Sequence, residues 1–218
     1  MFRNREDAGR QLAVRLKGRD LHDPVVLAIP RGGVATGAVL ARELGAELDV
    51  VLSRKLRAPG QPELALGAIS EDGQVFMNPE LEEYAEAAGD YLGKEKEHQL
   101  AEIARRRRLI RTVRPPVSLA GRSVIVTDDG IATGATMIVA LRAVRTQGPC
   151  EVIVAVPVAP PERLEEIGQY CDEVVCLLRP HSFWAIGQFY EDFQQVEDEE
   201  VVRLLREFVP AAPVAKPS

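Results

Sequence analysis

The stretch Val124-Ile-Val-Thr-Asp-Asp-Gly-Ile-Ala-Thr-Gly-Ala-Thr-Met137 constrains this chain more than any other. Residues 124–126 are apolar and β-branched, and residues 137–144 resume with apolar positions at helical spacing. The polar segment between them therefore sits on a strand-to-helix turn. The first N–H groups of a helix lack intrahelical partners, Gly130 and Gly134 allow close backbone approach, and Thr133 and Thr136 add hydroxyl donors. Together these suit an anion, phosphate above all. Asp128 and Asp129, just upstream, must serve something else. The same rhythm occurs earlier: a strand over 25–29 runs into Pro30-Arg-Gly-Gly33, a helix over 34–44 is stopped by Gly45, and another strand follows at 48–52. Strands alternating with helices predict a parallel α/β sheet whose ligands gather beyond the carboxyl ends of the strands, near a topological switch point.

Two common nucleotide motifs are excluded on spacing. A Walker-type loop needs Gly-Lys-Ser/Thr, and the turn holds no Lys; a G-x-G-x-x-G fingerprint follows no strand in the chain. The segment instead resembles the phosphoribosyl pyrophosphate (PRPP) motif of type I phosphoribosyltransferases: four largely apolar strand residues, two acidic residues, a short spacer, then Thr-Gly-x-Thr. The resemblance implies an α/β domain with a parallel sheet of about five strands flanked by helices, a flexible β-hairpin lid and a small C-terminal hood, to which this chain adds a helical insertion longer than the family's minimal core. It implies that Asp128 and Asp129 bind the ribose hydroxyls, and that Thr133, Gly134, Ala135 and Thr136 hold the 5′-phosphate, with Gly130 and Ala132 in the same substrate loop. The competing reading of these residues is a helix capped by Thr133 with two solvated aspartates before it.

The family's first strand ends in a short loop that binds pyrophosphate through backbone N–H groups, often with an unusual cis peptide, and Arg31, Gly32 and Gly33 occupy that place. By itself Pro-Arg-Gly-Gly is equally a tight turn with an exposed Arg31. Ser53-Arg-Lys-Leu-Arg57 puts three cations directly after a strand, an ordinary solvated edge unless, as the resemblance implies, Arg54 and Lys55 meet pyrophosphate. Residues 58–63 break regular structure, and 66–70 and 74–77 flank Glu71-Asp-Gly73 as a hairpin, which gives a lid over 58–78. Residues 79–114 read as a charged helical insertion, broken near 89–93 and stopped by Pro115-Pro116. Arg105 to Arg108, Arg111 and Arg114 point around a helix rather than to one side, and Glu95, Glu97 and Glu102 are placed to pair along it. A solvated face or a subunit contact, as in a homodimer, is favoured there over nucleic acid.

Strands at 151–156 and 173–178, with a helix near 161–168 between them, complete the sheet. In the hood, 179–209, the resemblance has Trp184 or Phe183 stacking on the acceptor base and Glu191 or Asp192 lying near the metal; the alternative is a core aromatic cluster. An amphipathic helix at 199–208 ends a single domain over 1–209, and the Pro/Ala tail, 210–218, is expected to be disordered. An amphipathic helix over 5–17, with Ala8, Leu12, Ala13 and Leu16 on one face, opens the chain.

Composition narrows the partners. With 27 basic and 33 acidic side chains the formal charge is −6, which argues against non-specific nucleic-acid binding. No apolar run approaches membrane-spanning length and the first twenty residues are charged throughout, so a cytoplasmic protein is expected. Cys150, Cys171 and Cys176 lack a paired metal-binding spacing, which predicts reduced, mostly buried thiols. The resemblance implies transfer of the phosphoribosyl group of PRPP to a small nitrogenous acceptor such as a nucleobase, with release of pyrophosphate. Mg2+ would be held by Asp128, Asp129 and Glu191, with Arg31, Arg54 and Lys55 offsetting leaving-group charge. The chain departs from the 6-oxopurine members in having Ala132 where they carry Asp before Thr-Gly, and Arg179 where they carry Lys; both departures leave the acceptor open. A non-catalytic PRPP-binding or nucleotide-binding regulator, and an enzyme acting hydrolytically on another phosphorylated sugar, are the alternative functions.

Overall fold

The computed structural model describes residues 1–78, 81, 85 and 88–209. The tail expected over 210–218 and parts of the insertion over 79–87 lie outside the described residues. Helix α1 (Arg5–Leu16) starts where the Asn4 side chain accepts from the Asp7 N–H, and it buries Ala8, Leu12, Ala13 and Leu16, the face its spacing predicts. Strand β1 (Val25–Ala28), helix α2 (Gly32–Leu44) and strand β2 (Glu47–Val50) follow, α2 ending on Gly45 at φ 64°, a left-handed position that favours glycine. After the segment 53–111 come β6 (Ser123–Thr127), α4 (Ala135–Arg145), β7 (Glu151–Val158), α5 (Pro161–Ile167), β8 (Glu173–Leu178) and, past a short 3-10 turn at Ile186–Phe189, α6 (Asp198–Arg206).

Strands β2-β1-β6-β7-β8 lie side by side in that order, all parallel. Their side chains alternate between two cores. Val26, Ala28, Ile125 and Ile153 join the layer with α1, α2 and α6, whereas Val25, Leu27, Val124, Val126 and Val154 join the layer with α4 and α5. A sheet covered on both faces needs continuous apolar runs, which is why the strands read as unbroken Val/Ile/Leu stretches. Leu12, wholly buried in the first layer, carries much of the attachment of α1. Leu12→Ala should lower the unfolding free energy by about 3 kcal/mol, measured by denaturant titration with an unchanged slope.

Three expectations are corrected. The expected hairpin is present but belongs to a three-stranded antiparallel sheet, β3 (Ser53–Ala58), β4 (Gln61–Ser70) and β5 (Val75–Met77), so the cationic segment 53–57 is itself a strand and the break shrinks to a turn on Gly60. This sheet is packed at both ends: Ala68 sits against Ala135 and Val139 of α4, and Ala58 and Leu66 share a small core with Leu92. Helix α3 (Gly89–Arg111) is continuous through Gly93, whose roughly 1 kcal/mol of lost propensity is small against a 23-residue helix. Nor are the cysteines mostly buried: all three are free, Cys150 is exposed, and Cys171 and Cys176 are half-buried, with desolvation pushing both thiols up to about 11.

The arginine-rich end of α3 is spoken for within the chain. Arg105 and Arg106 pair with Asp198, Arg107 with Glu71, Arg111 with Asp49 at 2.6 Å, and the buried Arg114 with Glu47 at 2.6 Å. Of the acids expected to run along the helix, Glu102 does pair with Arg105, but Glu95 is turned inward under the lid. Most of this positive charge is thus met internally and gives no support to a nucleic-acid surface.

Candidate active site

Strands β1 and β6 are neighbours, yet the chain leaves them toward opposite edges, to β2 on one side and to β7 and β8 on the other. Their carboxyl ends mark the switch point, and the two loops singled out by sequence meet there. β1 runs into a cis peptide between Pro30 and Arg31 and then directly into α2. β6 runs into Asp128 and Asp129, and α4 begins after Gly134 at φ 81°. The loops touch so closely that only glycine fits. A Cβ on Gly33 would lie 2.9 Å from the Asp128 Cα, and one on Gly32 would lie 1.8 Å from Asp129 Oδ2.

The two aspartates have different surroundings. Asp129 is buried; its Oδ2 accepts from Arg5 Nε at 2.8 Å, and its backbone carbonyl accepts from the Tyr190 hydroxyl at 2.6 Å. Arg5 also donates to the Gln194 carbonyl at 2.7 Å and lies 3.8 Å over the Phe193 ring. Asp129 therefore ties the start of α1 and the C-terminal segment to the turn. Asp128 alone of the pair lines the cleft, its Oδ1 accepting from the Asp129 N–H at 2.8 Å. Burial first, then the charge of Asp129, hold the Asp128 carboxyl well above the usual carboxylate range, while Lys55 pulls the other way.

The cleft beside Asp128 has a volume of about 450 Å³ and is bounded by Pro30, Ser53, Arg54, Lys55, Arg57 and Thr136. A smaller recess of about 90 Å³ shares Lys55, Asp128 and Thr136 with it and is otherwise formed by residues 130–134, Met137 and Ile186. In this recess Thr133 Oγ1 is buried without a hydrogen-bond partner among the described residues, next to the N-terminus of α4. A buried hydroxyl with nothing to bond is costly and marks a place for a polar ligand. The Lys55 side chain has no hydrogen-bond or ion-pair partner among the described residues. Arg54, by contrast, is held through Nε by Gln99 Oε1 at 2.8 Å.

Of the residues nominated from sequence, Asp128, Arg54, Lys55, Gly130, Ala132, Thr133, Gly134 and Thr136 converge on these adjoining spaces, and Ala135 opens the helix behind them. Gly32 and Gly33 pack against the aspartates and line neither space. The Arg31 side chain turns aside to Glu197 at 2.9 Å. Trp184 is 88% exposed and outside the cleft, Phe183 pairs with Phe189 at 5.3 Å, and Glu191 is exposed, with its N–H donating to the Phe2 carbonyl. Four participants escaped the sequence reading. Arg5 and Tyr190 reach Asp129 from far along the chain with no local signal, Gln99 sits on the insertion, and Ile186 reaches the recess from the hood.

An all-parallel sheet with a Gly-Gly loop, an acidic turn and a helix N-terminus at its switch point, covered by an antiparallel cationic flap, defines the phosphoribosyltransferase class of anion-binding α/β proteins. Residues 2–194 match the family model of the phosphoribosyl transferase domain, and the chain belongs to that family. Two Mycobacterium tuberculosis proteins, from strains CDC 1551 / Oshkosh and ATCC 25618 / H37Rv, are each 43% identical over 205 residues and carry the provisional description phosphoribosyl transferase. The alignments cover 94% of this chain and 46% of each relative, so the chain spans about half the length of the curated relatives it matches. The crystal structure of protein TT1426 from Thermus thermophilus is similar throughout: 46% identity, a TM-score of 0.79, and coverage of 95% of this chain and 98% of that one. Among the described residues no helix is long and apolar enough to cross a membrane.

Proposed function

We propose that the chain binds PRPP across the two adjoining spaces and transfers its phosphoribosyl group to a small nitrogen acceptor, releasing pyrophosphate. The observation that carries this reading is the unpartnered, buried Thr133 hydroxyl in a recess walled by the turn before α4, with Asp128 between that recess and a cleft lined by Arg54, Lys55 and Arg57. A 5′-phosphate fits the recess, where helix N–H groups and the Thr133 and Thr136 hydroxyls offer donors. Pyrophosphate fits the cationic cleft, and a ribose between them would present its hydroxyls to Asp128. The acceptor nitrogen attacks C1 from the face opposite pyrophosphate: the N–C1 bond forms, the C1–O bond breaks with its electron pair leaving on pyrophosphate, and the nitrogen's proton passes to solvent. Arg54 and Lys55 are preorganised for the charge gathering on the leaving oxygens. The β3–β4–β5 flap covers the cleft and would limit capture of the ribosyl centre by water.

Magnesium fits this donor set. Among the described residues no three His, Cys, Asp or Glu side chains converge as a metal cage, but Mg2+ takes one or two carboxylates, keeps waters, and accepts the remaining oxygens from phosphates. Asp128, whose carboxyl is crowded by Asp129, would be that carboxylate; Asp129 is engaged by Arg5, and Glu191 does not line the cleft. Bound there, the ion would neutralise part of the pyrophosphate charge. Ala132 puts a methyl group where the 6-oxopurine members carry Asp, and neither space has a carboxylate besides Asp128 among the described residues, which argues for an acceptor other than a 6-oxopurine. Incubating the protein with PRPP, Mg2+ and a panel of nucleobases and small amines, read by mass spectrometry, should yield one acceptor-dependent phosphoribosyl adduct with stoichiometric pyrophosphate. Free ribose 5-phosphate as the sole product would replace transfer by hydrolysis. Thr133→Val keeps the shape and removes the hydroxyl, so ribose 5-phosphate affinity, measured calorimetrically, should fall at least about tenfold with little change in unfolding temperature.

A further inference from the structure

Helix α3 reaches the proposed site through a relay of buried polar groups. Gln99 is fully buried and Glu95 nearly so. Gln99 Oε1 accepts from Arg54 Nε at 2.8 Å; Gln99 Nε2 donates to Glu95 Oε1 at 2.8 Å; the same Glu95 oxygen accepts from the Arg57 backbone N–H at 3.2 Å. The relay thus grips strand β3 at two places, one side chain and one backbone group, either side of Leu56. The Arg54 side chain makes no other hydrogen bond among the described residues, and Arg54 lines the cleft. Holding Nε from behind leaves both terminal nitrogens to face an anion, and fixes the plane of a fork that binds phosphate oxygens bidentately.

The identity of the residue in the middle matters. Arg31, Arg105, Arg106, Arg111 and Arg114 all lie within ion-pair distance of a carboxylate, whereas Arg54 has none within that distance among the described residues. A neutral amide stands between Arg54 and Glu95, so the guanidinium is oriented without being neutralised. Arg106, on the same face of α3, adds a like charge close enough to act on Arg54, which makes that guanidinium a still poorer host for anything but an anion.

We infer that Gln99, braced by Glu95, is a positioning residue: it aims the Arg54 guanidinium at the pyrophosphate moiety while leaving its charge available, which makes the helical insertion part of the leaving-group site. This rests on the PRPP reading of the cleft. The test is a double-mutant cycle on Arg54 and Gln99, with magnesium pyrophosphate and ribose 5-phosphate titrated separately by calorimetry. Gln99→Met, close in length and volume, should weaken pyrophosphate roughly tenfold, Arg54→Met by at least as much, and the double variant no more than Arg54→Met alone, because Gln99 acts through Arg54. Ribose 5-phosphate affinity should stay within about twofold in all three, since its recess is walled by other residues. If the single change unfolds the protein by stranding the Glu95 charge, Glu95→Gln/Gln99→Met removes that charge and carries the same expectation. Pyrophosphate affinity in Gln99→Met equal to the native value, or losses that multiply in the double variant, would overturn the inference. Failure of the native protein to bind ribose 5-phosphate would instead remove the PRPP reading beneath it.

Discussion

Asp128→Asn should lower kcat/KM for the proposed phosphoribosyl transfer by about 10²–10³-fold while leaving the fold and the unfolding temperature nearly unchanged. The change keeps the shape of the side chain and its acceptor for the Asp129 N–H, and it removes a charge that burial and Asp129 already disfavour. Stability therefore has no reason to fall. What is lost is the one carboxylate that stands between recess and cleft. Asp129→Asn should behave differently. It removes the charged partner of a part-buried Arg5, so its primary effect is on stability, about 3–5 kcal/mol if the guanidinium is left uncompensated, and any loss of turnover would follow from the loosened turn. Steady-state kinetics together with thermal melts separate the two aspartates.

Gly32→Ala is the second large effect, and it arises from close approach rather than chemistry. The new methyl carbon would be placed 1.8 Å from Asp129 Oδ2 and 3.0 Å from Arg5 Nε. Neither neighbour is the free end of a flexible surface chain: both are part-buried and bonded to each other. Either the first turn of α2 must lift from the acidic turn or the Arg5–Asp129 pair must open, at about 2–4 kcal/mol, which lowers the melting temperature by roughly 4–16 °C for a domain of this size. Both responses also disturb the turn that carries Asp128, which lines both spaces, so pyrophosphate and ribose 5-phosphate should be lost together. Gly93→Ala serves as the contrast. A methyl there meets nothing within 4 Å on an exposed turn of α3, and stability should rise by about 0.5–1 kcal/mol.

These contrasts show where sequence was informative. The strand–loop–helix units were legible because each rests on local rules: apolar runs for strands buried on both faces, Gly45 for a helix end, Asp-Asp-Gly and Thr-Gly-Ala-Thr for the turn between β6 and α4. The loops at the switch point were legible for the same reason, and their mutual contact follows from the adjacency of β1 and β6. What could not be read was set by distant partners. Nothing near Asp129 announces that Arg5, 124 residues away, will occupy it, or that Glu197 will take Arg31. The arginine run of α3 invited an interface reading because its counter-ions, Asp49, Glu47, Glu71 and Asp198, are scattered along the chain. Residues 53–57 concealed a strand because three cations in five positions have low β-propensity; pairing with β4 decides the matter. Trp184 was nominated from its place in the chain, and only the fold shows its side chain turned to solvent.

The most direct test of the PRPP reading is calorimetric titration of the native protein with PRPP in the presence and absence of Mg2+. Saturable one-to-one binding that strengthens with Mg2+, is displaced by pyrophosphate and by ribose 5-phosphate, and is weakened by both Thr133→Val and Arg54→Met is the predicted result. Absence of PRPP binding with Mg2+ present, by a protein whose melting curve shows it to be folded, would contradict it.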